Sequence, residues 1–181
     1  MPSPQQRVAA ALVVFGQPQA CLAGLLRDRH PADAVAFTII KPDLTSRDLT
    51  FGELRDLSAR LATGLAELGV GRGDQVATLM GKSAELAIPA LAIWRLGAVQ
   101  VPLFTAFAPS AVAARIPGNG TTVVITEPAQ RAKLEPAADI PADPDRHIVT
   151  TGQPAGTDVA FDDLLGAAPQ QAPVAVGGTG L

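Results

Sequence analysis

Gly81, Lys82 and Ser83, in the stretch LMGKSAELA (79–87), are the residues whose types and order most directly suggest chemistry. A strand-like run, QVATLM, leads into them and a helix-like run follows. Strand, GKS, helix is the order in which a phosphate-binding loop is built. That loop also needs a glycine five residues before the glycine of GKS, so that backbone N–H groups can wrap the phosphates. The position holds Val76, and the nearest upstream glycine is Gly73. Val76 suits the pleated surface of a strand instead. The spacing therefore predicts a strand-to-helix turn with Lys82 in solvent. A small α/β nucleotide binder, offering the free N–H groups of a helix start to an anion, is the weaker reading of the same residues.

The remaining chemistry-bearing residues are sparse. Cys21 is the single cysteine, so an internal disulfide is excluded, and His30 and His147 are the only histidines. Nothing in the spacing places either histidine beside Cys21, which reads as a small buried residue. One cysteine and two distant histidines do not make a zinc site. The chain of 181 residues has a net charge of −3, 48% hydrophobic residues and 4% aromatics. It is long enough to bury a core. It lacks the basic stripe and the aromatic platform that nucleic-acid binding uses. The N-terminal run VAAALVVF follows a single Arg and precedes Pro18-Gln19, a poor cleavage approach, and no run reaches the about 18 apolar residues of a membrane span. The expectation is a cytoplasmic protein with no membrane and no nucleic-acid partner.

The elements that must position these residues follow from periodicity. QACLAGLLRDR (19–29) reads as a short helix, AVAFTII (34–40) as a strand, KPDLTSRD as a turn, and Leu49-Thr50 as the close of a hairpin. Thr50-Phe51-Gly52-Glu53 fits a capping box. Leu54, Leu57, Leu61, Leu65 and Leu68 then form one helical stripe, ended by Gly69. QVATLM (75–80), VQVPLF (99–104) and TTVVITE (121–127) read as strands. A helix over 83–98, with Ser83 as N-cap, Pro89 inside and Gly97 as its stop, separates the first two, and a short helix near 109–116 separates the last two. Strands alternating with helical patterns predict βαβ units: an α/β fold with a mostly parallel sheet flanked by helices. Residues 1–18 read as an N-terminal extension, 19–127 as the α/β core, and 128–181 as a loop-rich, proline-punctuated continuation with a short strand at 147–151 and a short helix at 161–168.

Several motifs in order carry a family resemblance. Thr50-Phe51-Gly52-Glu53-Leu54 fits T-[FY]-x-E-L, Gly69 to Ala77 fits G-[VI]-x-x-G-D-x-V-A, and Gly97 to Pro102 fits G-A-V-x-V-P. Over about residues 31–127 the chain resembles the N-terminal subdomain of AMP-forming acyl-CoA synthetases. These belong to the adenylate-forming superfamily, with the luciferases and peptide-synthetase adenylation domains. VPLFTAFAPSAVAARI resembles the acetyl- and medium-chain acyl-CoA synthetase branch. IPGNGTT, in place of a charged turn, and Pro89 depart from the family pattern.

The resemblance implies an activity in which a short- or medium-chain carboxylic acid and ATP, with Mg, give acyl-adenylate and pyrophosphate, and CoA then displaces AMP. It implies that the GKS turn is not the ATP site. The family's phosphate loop, T-S-G-T-T-G-x-P-K-G, has no counterpart here, and the terminal AVGGTGL lacks its lysine. The expectation is thus a truncated, inactive portion of a ligase of fatty acid metabolism with no assigned catalytic residue. The contribution implied for this region is to the nucleotide end of CoA: Thr105 and Ala106 through backbone contacts, Arg131 and Lys133 through the phosphates. A guanidinium forks onto phosphate oxygens and lysine adds a point charge. Two other expectations are a homodimer through the apolar face left exposed, and, as the alternative function, a stand-alone non-catalytic CoA- or protein-binding module.

Overall fold

A computed structural model of the chain describes residues 2–24, 30–41, 43–116, 120–136, 145–169 and 172–176. Residues 25–29 of the first expected helix, residue 42 of the KPDLTSRD turn, 117–119 of IPGNGTT, 137–144 of the loop-rich stretch and the 177–181 end of AVGGTGL lie outside the described residues.

Helix α1 (Pro4–Phe15) opens the chain where the sequence suggested only an extension. Its signal was present in Ser3 and Gln6, which form a capping box, with Pro4 in the first turn. No α1 residue is buried. Strands β1 (Val35–Ile40) and β2 (Ser46–Thr50) form an antiparallel hairpin with Phe37 opposite Leu49 and Ile40 opposite Ser46. The hairpin is thus longer on its second arm than the Leu49-Thr50 close expected.

Helix α2 (Phe51–Glu67) starts at the box read from sequence. The Glu53 N–H donates to Thr50 Oγ1 at 3.2 Å, and the Glu53 carboxylate accepts from the Thr50 N–H at 2.8 Å. The Thr50 N–H, contributing most, and the Thr50 hydroxyl, which donates to Glu53 Oε2 at 3.0 Å, hold the Glu53 carboxyl below its ordinary value. Thr50→Ala is expected to cost about 1 kcal/mol of stability, read as a lower urea midpoint with an unchanged slope.

Strands β3 (Gln75–Leu79), β4 (Val99–Leu103), β5 (Thr121–Thr126), β6 (His147–Thr150) and β7 (Val159–Ala160) make one parallel sheet in the order β4-β3-β5-β6-β7. Helices α3 (Ala84–Arg95) and α4 (Pro109–Ala113) join β3 to β4 and β4 to β5. Because strand side chains alternate, the sheet feeds two cores. Val76, Val123, Ile125 and Val149 meet the leucines of α2 and the apolar side of α3. Ala77, Leu79 and Val124 meet Val112 of α4, Ile116 and Leu134 on the other face. The expected parallel α/β architecture is the observed one.

The stretch after Glu127 is more ordered than its prolines suggested. Helix α5 (Pro128–Arg131), with Pro128 in its first turn, runs into a 3₁₀ turn at Ala132–Leu134. Helix α6 (Phe161–Leu165) lays Phe161 and Leu164 against the first core. Pro89 is accommodated inside α3, and Gly97 turns the chain at φ 69° after it, a left-handed geometry that glycine adopts without a Cβ penalty.

Candidate functional site

The chain leaves β3 through α3 to reach β4, then crosses back through α4 to β5 on the far side of β3. In open α/β sheets such a divergence opens a crevice beyond the carboxyl ends of the strands. Beyond the carboxyl ends of β3 and β4, between α3 and the hairpin, lies a cleft of about 870 Å³. Its rim is Gly81–Ser83 after β3 and Phe104–Ala106 after β4. Its walls are β1 (Phe37, Ile39, Ile40) and α3 (Leu86, Ala87, Ala90). The floor carries one polar pair, Gln100 Nε2 donating to Thr78 Oγ1 at 3.1 Å.

The GKS turn is held from below. Thr126 Oγ1 donates to the Leu79 carbonyl at 3.0 Å, tying the end of β5 to that of β3. The Glu127 carboxylate accepts from the Gly81 N–H at 3.1 Å and from Gln130 Nε2 at 3.4 Å. A Cβ on Gly81 would stand 3.4 Å from Glu127 Oε2, in ordinary van der Waals contact, so the carboxylate lies directly against the turn. A turn whose N–H already holds an anion, with a carboxylate beside it, does not suit a triphosphate. Ser83 occupies the N-cap position of α3 without a side-chain capping bond, and Lys82 is exposed at the cleft rim. The expected bland turn is therefore observed, with an unforeseen carboxylate under it.

Of the four residues expected at the end of CoA, three come together. The Lys133 ammonium donates to the Thr105 carbonyl at 2.5 Å, joining the 3₁₀ turn to the loop after β4, and Ala106 is next to it. Phe104 stands at the same rim, 68% exposed, with its ring edge-on to Phe107 at 5.3 Å. The Arg115 guanidinium covers Phe107 at 4.4 Å from the ring centre.

Arg131 faces another way. Its Nε and Nη2 grip both oxygens of Asp158, at 2.7 and 3.0 Å, and Nη1 reaches Glu135 at 3.0 Å. Asp158 also accepts from Thr150 Oγ1 at 2.8 Å, and its side chain is only 2% exposed. Burial pushes the Asp158 carboxyl up, but the bonds from Arg131 and Thr150 together outweigh it and hold the group below its usual value. The Asp158 hydrogen bond raises Arg131 above its ordinary value in turn.

Sequence reasoning missed Phe104, Glu127 and Asp158. Glu127 was legible only as the last residue of a strand, and Asp158 is distant in sequence from the arginine it pairs. Cys21 is buried with Sγ 3.8 Å from the Trp94 carbonyl, and His30 stacks on Phe51 at 4.1 Å. His147 opens β6 at the opposite, amino edge of the sheet. Among the described residues, no group of three or more His, Cys, Asp or Glu could hold a metal ion, and no helix is long and apolar enough to cross a membrane.

Comparison with known proteins adds to this geometry. The sequence model of a family described as AMP-binding enzyme matches residues 27–175. The chain is 37% identical over 123 residues to 4-coumarate–CoA ligase 5 of Oryza sativa subsp. japonica, covering 68% of this chain and 22% of that protein. It is 35% identical over 148 residues to the acetyl-coenzyme A synthetase of Streptomyces coelicolor, covering 75% of this chain and 23% of the relative. The chain thus spans less than a quarter of the length of either relative. The crystal structure of Brucella canis acyl-CoA synthetase superposes with a TM-score of 0.81 at 33% identity, over 92% of this chain and 32% of that one.

Proposed function

This chain belongs to the AMP-binding enzyme family, and from that premise we propose that it is the N-terminal α/β part of an ATP-dependent acyl-CoA synthetase, whose contribution is the scaffold and a seat for the nucleotide end of CoA. The observation that supports this reading most directly is the likeness to the Brucella canis acyl-CoA synthetase, in sequence and fold together, across nearly all of the chain. In the whole enzyme a short- or medium-chain carboxylic acid reacts with ATP to give an acyl-adenylate and pyrophosphate, and the thiol of CoA then displaces AMP. ATP and its Mg find no fit at the Gly81–Ser83 turn, where the Glu127 carboxylate already holds the Gly81 N–H.

The CoA seat is argued from residues of this chain. Lys133 spends one N–H on the Thr105 carbonyl and keeps two to offer a phosphate. That bond also fixes the backbone of Thr105 and Ala106 beside the ammonium. Phe104 presents an open ring on which a base can stack, as bases do on exposed aromatics in open binding sites. Arg131 holds the α5–3₁₀ segment from which Lys133 reaches, its fork being engaged by Asp158. CoA, when bound, supplies the thiol that accepts the acyl group.

The test is calorimetric titration of the chain with CoA. Lys133→Ala is expected to weaken binding at least about tenfold, and up to about a hundredfold, in line with the roughly 1.5–3 kcal/mol of a charged hydrogen bond. Lys133→Arg, which keeps the charge, should lose less, and wild-type affinity should fall with added salt. Absence of CoA binding, or equal affinity in Lys133→Ala, overturns the seat while leaving the family assignment intact.

A further inference from the structure

Arg131 and Lys133 lie two residues apart where α5 runs into the 3₁₀ turn, and residues at that spacing point to different sides of a helical segment. Each is bound, on its own side, to a different part of the sheet. Lys133 donates to the Thr105 carbonyl, in the loop after β4. Arg131 grips Asp158 with Nε and Nη2, and Asp158 takes a further bond from Thr150, the last residue of β6. In the order β4-β3-β5-β6-β7 the strands β3 and β5 stand between these two anchorages. Leu134 sets the same turn into the second core, with Val112 and Ile116. The segment after β5 is thus a strut, made fast at both sides and from below.

The Arg131 side of the strut does not suit a phosphate. Its guanidinium is committed to two carboxylates, Asp158 and Glu135, and two anions to one cation leave that side repelling a further negative charge. Pulling the fork away would also strand the Asp158 carboxylate without a partner in a nearly sealed site. What the pair supplies is a fixed direction, because a two-pronged charged grip sets an angle as well as a distance. We propose that Asp158 is a positioning residue of the CoA seat: through Arg131 and the strut it holds the Lys133 ammonium beside Thr105 and Ala106, ready for a CoA phosphate. This role rests on the CoA seat proposed above and adds to it a control point on the other side of the strut. Without the grip, the turn carrying Lys133 has to be ordered by the ligand at each binding event, which lowers affinity.

Calorimetric titration of CoA into the wild type, Asp158→Asn, Lys133→Ala and the double variant tests this. Asp158→Asn is expected to weaken CoA binding about fivefold, and to add no further loss once Lys133 is already alanine, the coupling that linked residues show. A chain that was merely less stable would show a smaller fraction able to titrate, with the affinity of the folded fraction unchanged. Arg131→Lys, which keeps the charge beside Asp158 but not the fork, should reproduce the fivefold loss and serves in place of Asp158→Asn should that variant not fold. Affinity unchanged in the variant used, while Lys133→Ala binds CoA weakly, overturns the proposal and leaves the seat standing. So does an equal loss with and without Lys133, since Asp158 would then act on CoA by another route. A wild type that does not bind CoA overturns the seat and this role for Asp158 together.

Discussion

Asp158→Ala is expected to lower the unfolding free energy by about 3 kcal/mol, the low end of what breaking a buried ion pair costs. The carboxylate is nearly sealed from water, and Arg131 is itself 17% exposed. Removing Asp158 leaves Arg131 with only Glu135, whose side chain is 62% exposed, and takes the acceptor from Thr150. Asp158→Asn should cost less, because the amide still offers one acceptor to the guanidinium. The pH dependence has a definite sign. The folded-state carboxyl is held below its ordinary value, so its stabilisation is fully present above the unfolded value of about 3.9 and is lost as pH falls through the lower folded value. Urea midpoints at neutral pH and near pH 3 should therefore show a gap between wild type and Asp158→Asn that narrows in acid. A gap that holds steady or widens would refute the pairing as its cause.

Gly64→Ala should destabilise the chain by about 1–3 kcal/mol, against the helix-propensity gain of about 1 kcal/mol that such a change ordinarily brings. Gly64 lies inside α2 where α6 crosses it. A Cβ there would meet Leu164 Cβ at 2.7 Å and Leu164 Cα at 3.0 Å. The second of those atoms is backbone, so a rotamer change cannot relieve the contact, and α6 as a whole must move. Leu164→Ala alone should cost about 2–5 kcal/mol by leaving a void. In the double variant the alanine at position 164 keeps the Cβ and Cα that the new methyl meets and removes only the Cδ2 contact at 3.0 Å, so the two losses should come close to adding. A double variant well short of that sum, measured by chemical denaturation, would mean that α6 already yields freely at this crossing.

Much of the fold was legible because its signals are local. The Thr50–Glu53 box, the leucine stripe of α2 and the near-continuous apolar strands are patterns within a few residues, and each was found where it was read. The α1 box, Ser3 with Gln6, was equally local and was passed over because an apolar N-terminal run invites comparison with a signal segment. The segment after Glu127 reads as loop-rich, with only a short strand and a short helix, because four prolines punctuate it, although Pro128 sits in the first helical turn, where its missing N–H costs nothing. The candidate site was legible only in part. Thr105 and Lys133 are brought together by the sheet order, which places the ends of β4 and β5 on either side of β3. No spacing rule links Arg131 to Asp158, or Glu127 to the glycine of the GKS turn, since those contacts exist only once the sheet has closed.

The same sheet order bears on how the chain reaches its native state. Strand β3 pairs with β4 through Gln75 and Val99, and with β5 through Gln75 and Thr121. The second pairing closes roughly twice the length of chain, an added loop entropy of only about 0.6 kcal/mol. Yet β5 must arrive on the edge of β3 opposite to β4, after α4 has carried the chain across the sheet. The β3–α3–β4 unit can therefore form early as a local nucleus. Docking of β5, which brings in Thr126 and Glu127 and recruits β6 and β7, is the long-range step that gates completion. Until it occurs, one whole edge of β3 presents unpaired N–H and C=O groups with Val76, Ala77 and Leu79 in the open, a strand that another chain could zip onto. The hazard to this protein during synthesis thus lies at the centre of its finished sheet, where no inspection of the native surface would find it.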